Sequence, residues 1–225
     1  MLIGGKVAGE GSALADKRGH GAWYKNIAGE AVAVDPSIKE IAPGYGDVAN
    51  GSWYAKDFYQ LVYEGILKGY PGSGFAPHGN VTRAEFVTLL ARYAKADLSG
   101  YGGLEPIYPD VGASDWHSPP IAWGTEKGII KGQGNGSFRP NDNVTREQMA
   151  VMLFRYAEYM GTDTNIERVT DIGIYSDIAD VSGWAAPAMQ WAVDAGLIKG
   201  VRADRLAPKE PATRAEMAVL LGRMA

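Results

Sequence analysis

Between Trp53 and Glu64 the chain reads WYAKDFYQLVYE, and Tyr54, Phe58, Leu61 and Val62 fall at the spacing of one helical face. Gly65 comes next, where helices commonly end on a glycine. After the loop GYPGSGFAPHGN a second helix is predicted in TRAEFVTLLARYAK, with Phe86, Leu89, Leu90 and Tyr93 on one stripe. The same order of short helix, glycine, polar loop and longer helix then recurs. WHSPPIAWGTEKG precedes TREQMAVMLFRYAEYM, and WAAPAMQWAVDAG precedes TRAEMAVLLGRMA. The prolines of the second and third short helices fall in the first turn, where the missing N–H costs nothing.

This is a triple repeat. Asp47, Trp53, Gly65, Gly69, Phe75, Pro77, Thr82, Arg83 and Arg92, shifted by 63 positions, become Asp110, Trp116, Gly128, Gly132, Phe138, Pro140, Thr145, Arg146 and Arg155. The third copy inserts one residue before its tryptophan and reads Asp177, Trp184, Gly196, Gly200, Leu206 in place of phenylalanine, Pro208, Thr213, Arg214 and Arg223. The repeats are placed at 45–97, 108–160 and 175–225. A helix pair of about 50 residues cannot bury its apolar face alone, so the pairs must share a core. The expected fold is mainly α: three helix-loop-helix repeats in a pseudo-threefold bundle, with the longer helices meeting in a central three-helix bundle. Residues 1–44 do not repeat. They contain a short alternating, β-like piece, HGAWYKNIAGEAVAVDP, and are read as a leader or the remnant of a preceding domain.

Thr82-x-x-Glu85, Thr145-x-x-Gln148 and Thr213-x-x-Glu216 are capping boxes, which account for the threonine and the Glu or Gln. Capping does not account for Arg83, Arg146 and Arg214, because a cation beside a helix N-terminus opposes the dipole. Two explanations stand. Free helix N–H groups and a planar guanidinium together suit an external carboxylate. Alternatively, each arginine bridges to a carboxylate of its own chain, such as Asp47, Asp110 or Asp177. Trp53, Trp116 and Trp184 open the short helices, as core residues or as flat platforms for a sugar face. Trp123 and Trp191 have no counterpart at Gln60 and are read as core. Lys68–Gly69, Lys131–Gly132 and Lys199–Gly200 leave the short helices. Their lysines either offset the C-terminal dipole or add a second cation to the same anion.

Net charge is −4 without a basic run, which argues against nucleic acid. The chain has no cysteine, so disulfides and thiolate metal sites are excluded. No apolar run approaches the roughly 18 residues of a membrane span. MLIGGKVAGEGS lacks a basic region followed by an apolar one and is not read as a signal peptide, so either the protein is cytoplasmic or this is a piece of a longer chain whose export signal lies elsewhere.

Taken together, the aspartate, the tryptophan, G-I/L-I/L-K-G, the Gly/Phe/Pro loop and TRAE before an apolar helix resemble the S-layer homology domain in its usual triplet, over residues 45–225. The resemblance implies a monomeric pseudo-trimer at the cell wall or S-layer of Gram-positive bacteria. It would anchor its parent non-covalently to a secondary cell wall polysaccharide, without cofactor or catalysis. In several such proteins the ligand is N-acetylmannosamine carrying a pyruvate ketal, held in grooves between repeats. The resemblance then gives the arginine to the carboxylate, the tryptophan to the sugar ring, and the backbone around Gly69, Gly132 and Gly200 to carboxylate or acetamide oxygens. Asp47, Asp110 and Asp177 would orient the arginine or accept from sugar hydroxyls. Copy two reads TREQ and loses a negative charge; copy three reads GVRADRL and loses loop glycines. Copies one and two are therefore expected to bind better than copy three.

Two rivals differ in class. A wall-polysaccharide hydrolase needs a pair of carboxylates, for which Asp110 with Glu147 is a candidate that does not stand out from the repeat pattern. A helical-repeat module for protein contact or S-layer self-assembly needs an exposed apolar groove. The oxygen-rich DIAD (177–180) and NDN (141–143) lack EF-hand spacing and are read as turns.

Overall fold

The computed structural model describes residues 45–49, 51–70, 74–164 and 170–224, with the backbone of Leu14–Ala15 and Ala22–Trp23. Those two dipeptides are strands β1 and β2, antiparallel with Leu14 opposite Trp23. The rest of the leader at 1–44, including most of the β-like piece, lies outside the described residues. The described chain is mainly helical. Its α-helices are α1 (Ala55–Tyr63), α2 (Arg83–Tyr93), α3 (Ser118–Glu126), α4 (Arg146–Tyr159), α5 (Ala186–Asp194) and α6 (Arg214–Met224). Short and long helices alternate, as the periodicity predicts. The short helices begin two residues after Trp53, Trp116 and Trp184, so these tryptophans sit in the preceding turn. Gly65, Gly128 and Gly196 follow the short helices with φ of 74°, 70° and 67°, the left-handed conformation that glycine adopts without a Cβ penalty.

Met1–His78 and Gly79–Ala225 form separate compact units. In the first, Phe58 packs against Tyr45 and Phe75, with ring centroids 5.0 and 4.3 Å apart. The second holds the three long helices, α2, α4 and α6. A closed ring of backbone hydrogen bonds ties the strands that lead into them. Val81 N–H donates to Ala212 (3.0 Å), Ala212 N–H to Val144 (2.9 Å), and Val144 N–H to Val81 (2.9 Å). Each valine or alanine is fully buried, so the ring satisfies groups that water cannot reach. Further along, Tyr93 of α2 meets Tyr156 of α4 edge-on at 5.9 Å.

The first two long helices each pack on the short helix of the next repeat: α2 on α3, and α4 on α5. At the first contact Gly124 faces Val87, 3.5 Å from where a Cβ would lie, an ordinary packing distance. At the second, Phe154 meets Trp191 edge-on at 5.5 Å. Trp123 and Trp191 are buried, as core residues should be.

Candidate functional site

The site begins at the long-helix N-termini. Thr82 and Glu85 form a full capping box, as do Thr145 and Gln148. Thr213 accepts from the Glu216 N–H at 3.2 Å, while Glu216 accepts from the Thr213 N–H at 2.8 Å. The next helical N–H groups are occupied as well. Arg83 N–H donates to the Asp142 carbonyl and Ala84 N–H to Pro140; Arg146 N–H donates to Glu210 and Glu147 N–H to Pro208. Arg214 N–H donates to Gly79. The expectation of free helix N–H groups for an anion is therefore corrected: carbonyls from loops of other repeats fill these positions.

The arginines are buried, with 3–5% of Arg83, Arg146 and Arg214 exposed. Arg83 Nε donates to the Phe138 carbonyl (2.9 Å) and Nη2 to Lys131 (3.2 Å), and the guanidinium carbon lies 4.6 Å above the Phe138 ring. Arg146 repeats the pattern one repeat later, with Nε to Leu206 (2.8 Å) and Nη2 to Lys199 (3.0 Å). Both arginines thus clamp the loop of the following repeat. Burial pushes the Arg83 guanidinium below its ordinary pKa, opposed by Asp142 at longer range; an arginine stays cationic nonetheless.

The aspartates do not pair with these arginines. Asp110 accepts from Phe138 N–H (2.8 Å) and Arg139 N–H (2.7 Å), and Asp177 from Leu206 N–H (2.9 Å) and Ala207 N–H (2.7 Å). Asp47 accepts from Phe75 N–H (3.0 Å) and Ala76 N–H (2.6 Å). The second residue of each pair has positive φ: Ala76 54°, Arg139 58° and Ala207 53°. Each carboxylate therefore holds a loop in a backbone conformation that a residue with a Cβ resists. Glu147, the other half of the hydrolase candidate pair, is 3% exposed and bound by Ser182 N–H (2.9 Å) and Lys209 Nζ (2.6 Å). Both candidate carboxylates are thus engaged in internal bonds.

The lysine–glycine positions divide. Gly69 N–H is taken by Tyr45 Oη at 2.8 Å, so it is not left over for a ligand. A Cβ on Gly132 would meet Tyr108 Cε1 at 2.5 Å and the Ser137 carbonyl at 2.8 Å, so only glycine fits. Gly200 is similarly confined by the Arg205 carbonyl, 2.8 Å from where a Cβ would lie. The side chains of Lys68, Lys131 and Lys199 are exposed.

Arg83, Lys131, Gly132 and Gln148 meet in one groove of about 300 Å³, whose walls also include Val151, Met152 and Arg155 of α4 and Trp184. Three cationic side chains and no carboxylate line it. Trp184 is 58% exposed, presenting a flat apolar ring beside the cations. All three repeats contribute, the third through Trp184. Among the described residues no group of three or more His, Asp or Glu side chains could hold a metal ion.

A family model described as the S-layer homology domain matches residues 44–87, 107–150 and 174–218. The chain belongs to the S-layer homology domain family. The S-layer homology triplet is 33% identical over 160 residues to a cellulosome-anchoring protein of Acetivibrio thermocellus, covering 70% of this chain and 35% of that protein. It is 31% identical over 189 residues to an endoglucanase of Bacillus sp. (strain KSM-635), covering 83% of this chain and 19% of the enzyme. A surface-layer 125 kDa protein of Lysinibacillus sphaericus is 29% identical over 213 residues, 92% of this chain and 17% of that protein. The S-layer homology chain thus spans about a third or less of these relatives.

Arg155 and Gln148 were not among the site residues expected from the repeat. Arg155 was visible as a repeated position, but its counterpart Arg223 donates to the Leu197 carbonyl at 2.7 Å beyond the end of α5. Arg155 makes no such bond among the described residues and lines the groove instead.

Proposed function

We propose that this chain is an extracellular, non-catalytic anchoring module that holds a longer parent protein to a cell wall polysaccharide through an acidic sugar. The observation that carries this reading is the groove in which Arg83, Lys131 and Arg155 face no lining carboxylate beside the exposed Trp184. Such a groove suits a ligand with a carboxylate on one edge and an apolar C–H face on the other. Pyruvylated N-acetylmannosamine has both: the ketal carboxylate goes to the cations and the ring stacks on the indole. The family and the anchoring and surface-layer relatives support the reading. Trp53 and Trp116, each 62% exposed, are proposed as further flat platforms for sugar rings. More than one occupied groove would raise apparent affinity for a polymer through effective concentration.

Calorimetric titration with pyruvylated N-acetylmannosamine and its unpyruvylated twin tests this. Binding of the pyruvylated sugar alone, weakening as salt rises, is the expected result. Equal binding of both sugars, or of neither, overturns it.

A further inference from the structure

The long helices make one recurrent contact with different chemistry. The residue reached is the capping-box Glu or Gln of another long helix. Arg146 Nη1 is ion-paired with Glu216 Oε1. Arg214 Nη1 lies 3.7 Å from Glu85 Oε1. Arg83 Nη1 instead meets the neutral amide of Gln148, 3.4 Å from Oε1.

That residue must also cap its own helix. A carboxylate has an oxygen for each task. Glu216 gives Oε2 to the Thr213 N–H at 2.8 Å and Oε1 to Arg146. Glu85 gives Oε2 to the Thr82 N–H at 2.8 Å and faces Arg214 with Oε1. Gln148 has one oxygen, which Thr145 N–H (3.3 Å) and Arg83 (3.4 Å) share at the long limit of hydrogen bonding. Among the described residues no carboxylate lies within ion-pair distance of Arg83; Asp142 pairs with Arg139 and Asp110 is bound to loop N–H groups. A buried guanidinium without a counter-charge has an incentive to take one from a ligand.

We infer that Gln148 is the specificity-determining residue of the groove. It leaves the Arg83 charge to a ligand carboxylate, whereas Glu216 supplies that carboxylate internally and withholds Arg146 from acidic ligands. The inference rests on the proposed reading of the groove as an acid-sugar site. The Gln148 amide also lines the groove and brings N–H donors where a glutamate would bring repulsion.

The test is 15N NMR of the arginine Nε–H groups during titration with sodium pyruvate, a bare carboxylate, in the wild type, Gln148→Glu and Glu216→Gln. Gln148→Glu restores the residue type that the other two long helices carry, so folding is retained. In the wild type the Arg83 signal shifts and the Arg146 signal does not. Gln148→Glu weakens the Arg83 response at least about tenfold, and Glu216→Gln makes Arg146 respond. The inference is overturned if Arg83 stays silent in the wild type, if Arg146 responds equally there, or if Gln148→Glu leaves the Arg83 response unchanged. An Arg83 response to pyruvate without binding of the pyruvylated sugar upholds the inference and sinks only the sugar assignment.

Discussion

Arg83 and Asp110 grip the same residue from opposite sides. The arginine donates to the Phe138 carbonyl at 2.9 Å, and the aspartate accepts from the Phe138 N–H at 2.8 Å. Arg146 and Asp177 do the same to Leu206, at 2.8 and 2.9 Å. Since the arginine belongs to one repeat and the aspartate to the next, the pair is a joint between repeats. This explains the recurrence of both residue types before any ligand is considered.

The arginines are thus expected to matter for stability. Arg83→Ala strands two loop carbonyls, at a cost of roughly 1–3 kcal/mol for each buried group left unpaired. Arg146→Ala also strands Glu216, and removing one partner of a buried pair costs roughly 3–5 kcal/mol. Urea unfolding should place Arg146→Ala below Arg83→Ala, and both below the wild type. Equal stability of the two variants would refute the difference in partners.

Binding is better tested at the groove rim. Lys131→Ala and Arg155→Ala remove cations that hold no loop in place, so unfolding midpoints should stay within about 0.5 kcal/mol of wild type. Affinity for the pyruvylated sugar should fall about tenfold for each, the equivalent of ~1.4 kcal/mol. Trp184→Ala should weaken binding of the pyruvylated sugar without altering its salt dependence. Calorimetry at two salt concentrations separates these effects.

Acid should loosen the loop joints. Burial raises the Asp177 carboxyl, but the N–H groups of Leu206 and Ala207 lower it by more, aided by Arg205, so it lies below its ordinary range. Asp110 is held low in the same way by Phe138 and Arg139. A depressed folded-state pKa contributes stability that is full above the unfolded value of about 3.9. That contribution is lost as pH falls through the lower folded value. Melting temperature should therefore drop below about pH 4, and Asp177→Asn should start lower at neutral pH and lose less on acidification. An Asp177→Asn melting curve that tracks the wild type at every pH would contradict this.

Gly132→Ala should be destabilising, because its Cβ would meet the Ser137 carbonyl at 2.8 Å. Overpacking of this kind costs roughly 1–3 kcal/mol. Gly134, in the same groove wall, has nothing within 4 Å of its Cβ position, so Gly134→Ala should leave the melting temperature almost unchanged.

The helices, their glycine stops, the capping boxes, the buried Trp123 and Trp191 and the threefold repetition were legible in the sequence. All are set by local periodicity or by contacts within four residues, which a linear pattern records. The partners of the polar residues were not legible. Asp110 reaches 28 residues to Phe138, Arg83 reaches 55 to the same residue, and Arg146 reaches 70 to Glu216. Spacing identifies a buried face but not which neighbour covers it, and a backbone carbonyl leaves no trace in residue type. The lost charge at Gln148 was visible in the motif. That its amide meets Arg83, in a groove also lined by Arg155 and Trp184, was decided only when the closed ring of Val81, Val144 and Ala212 brought the entries to α2, α4 and α6 together.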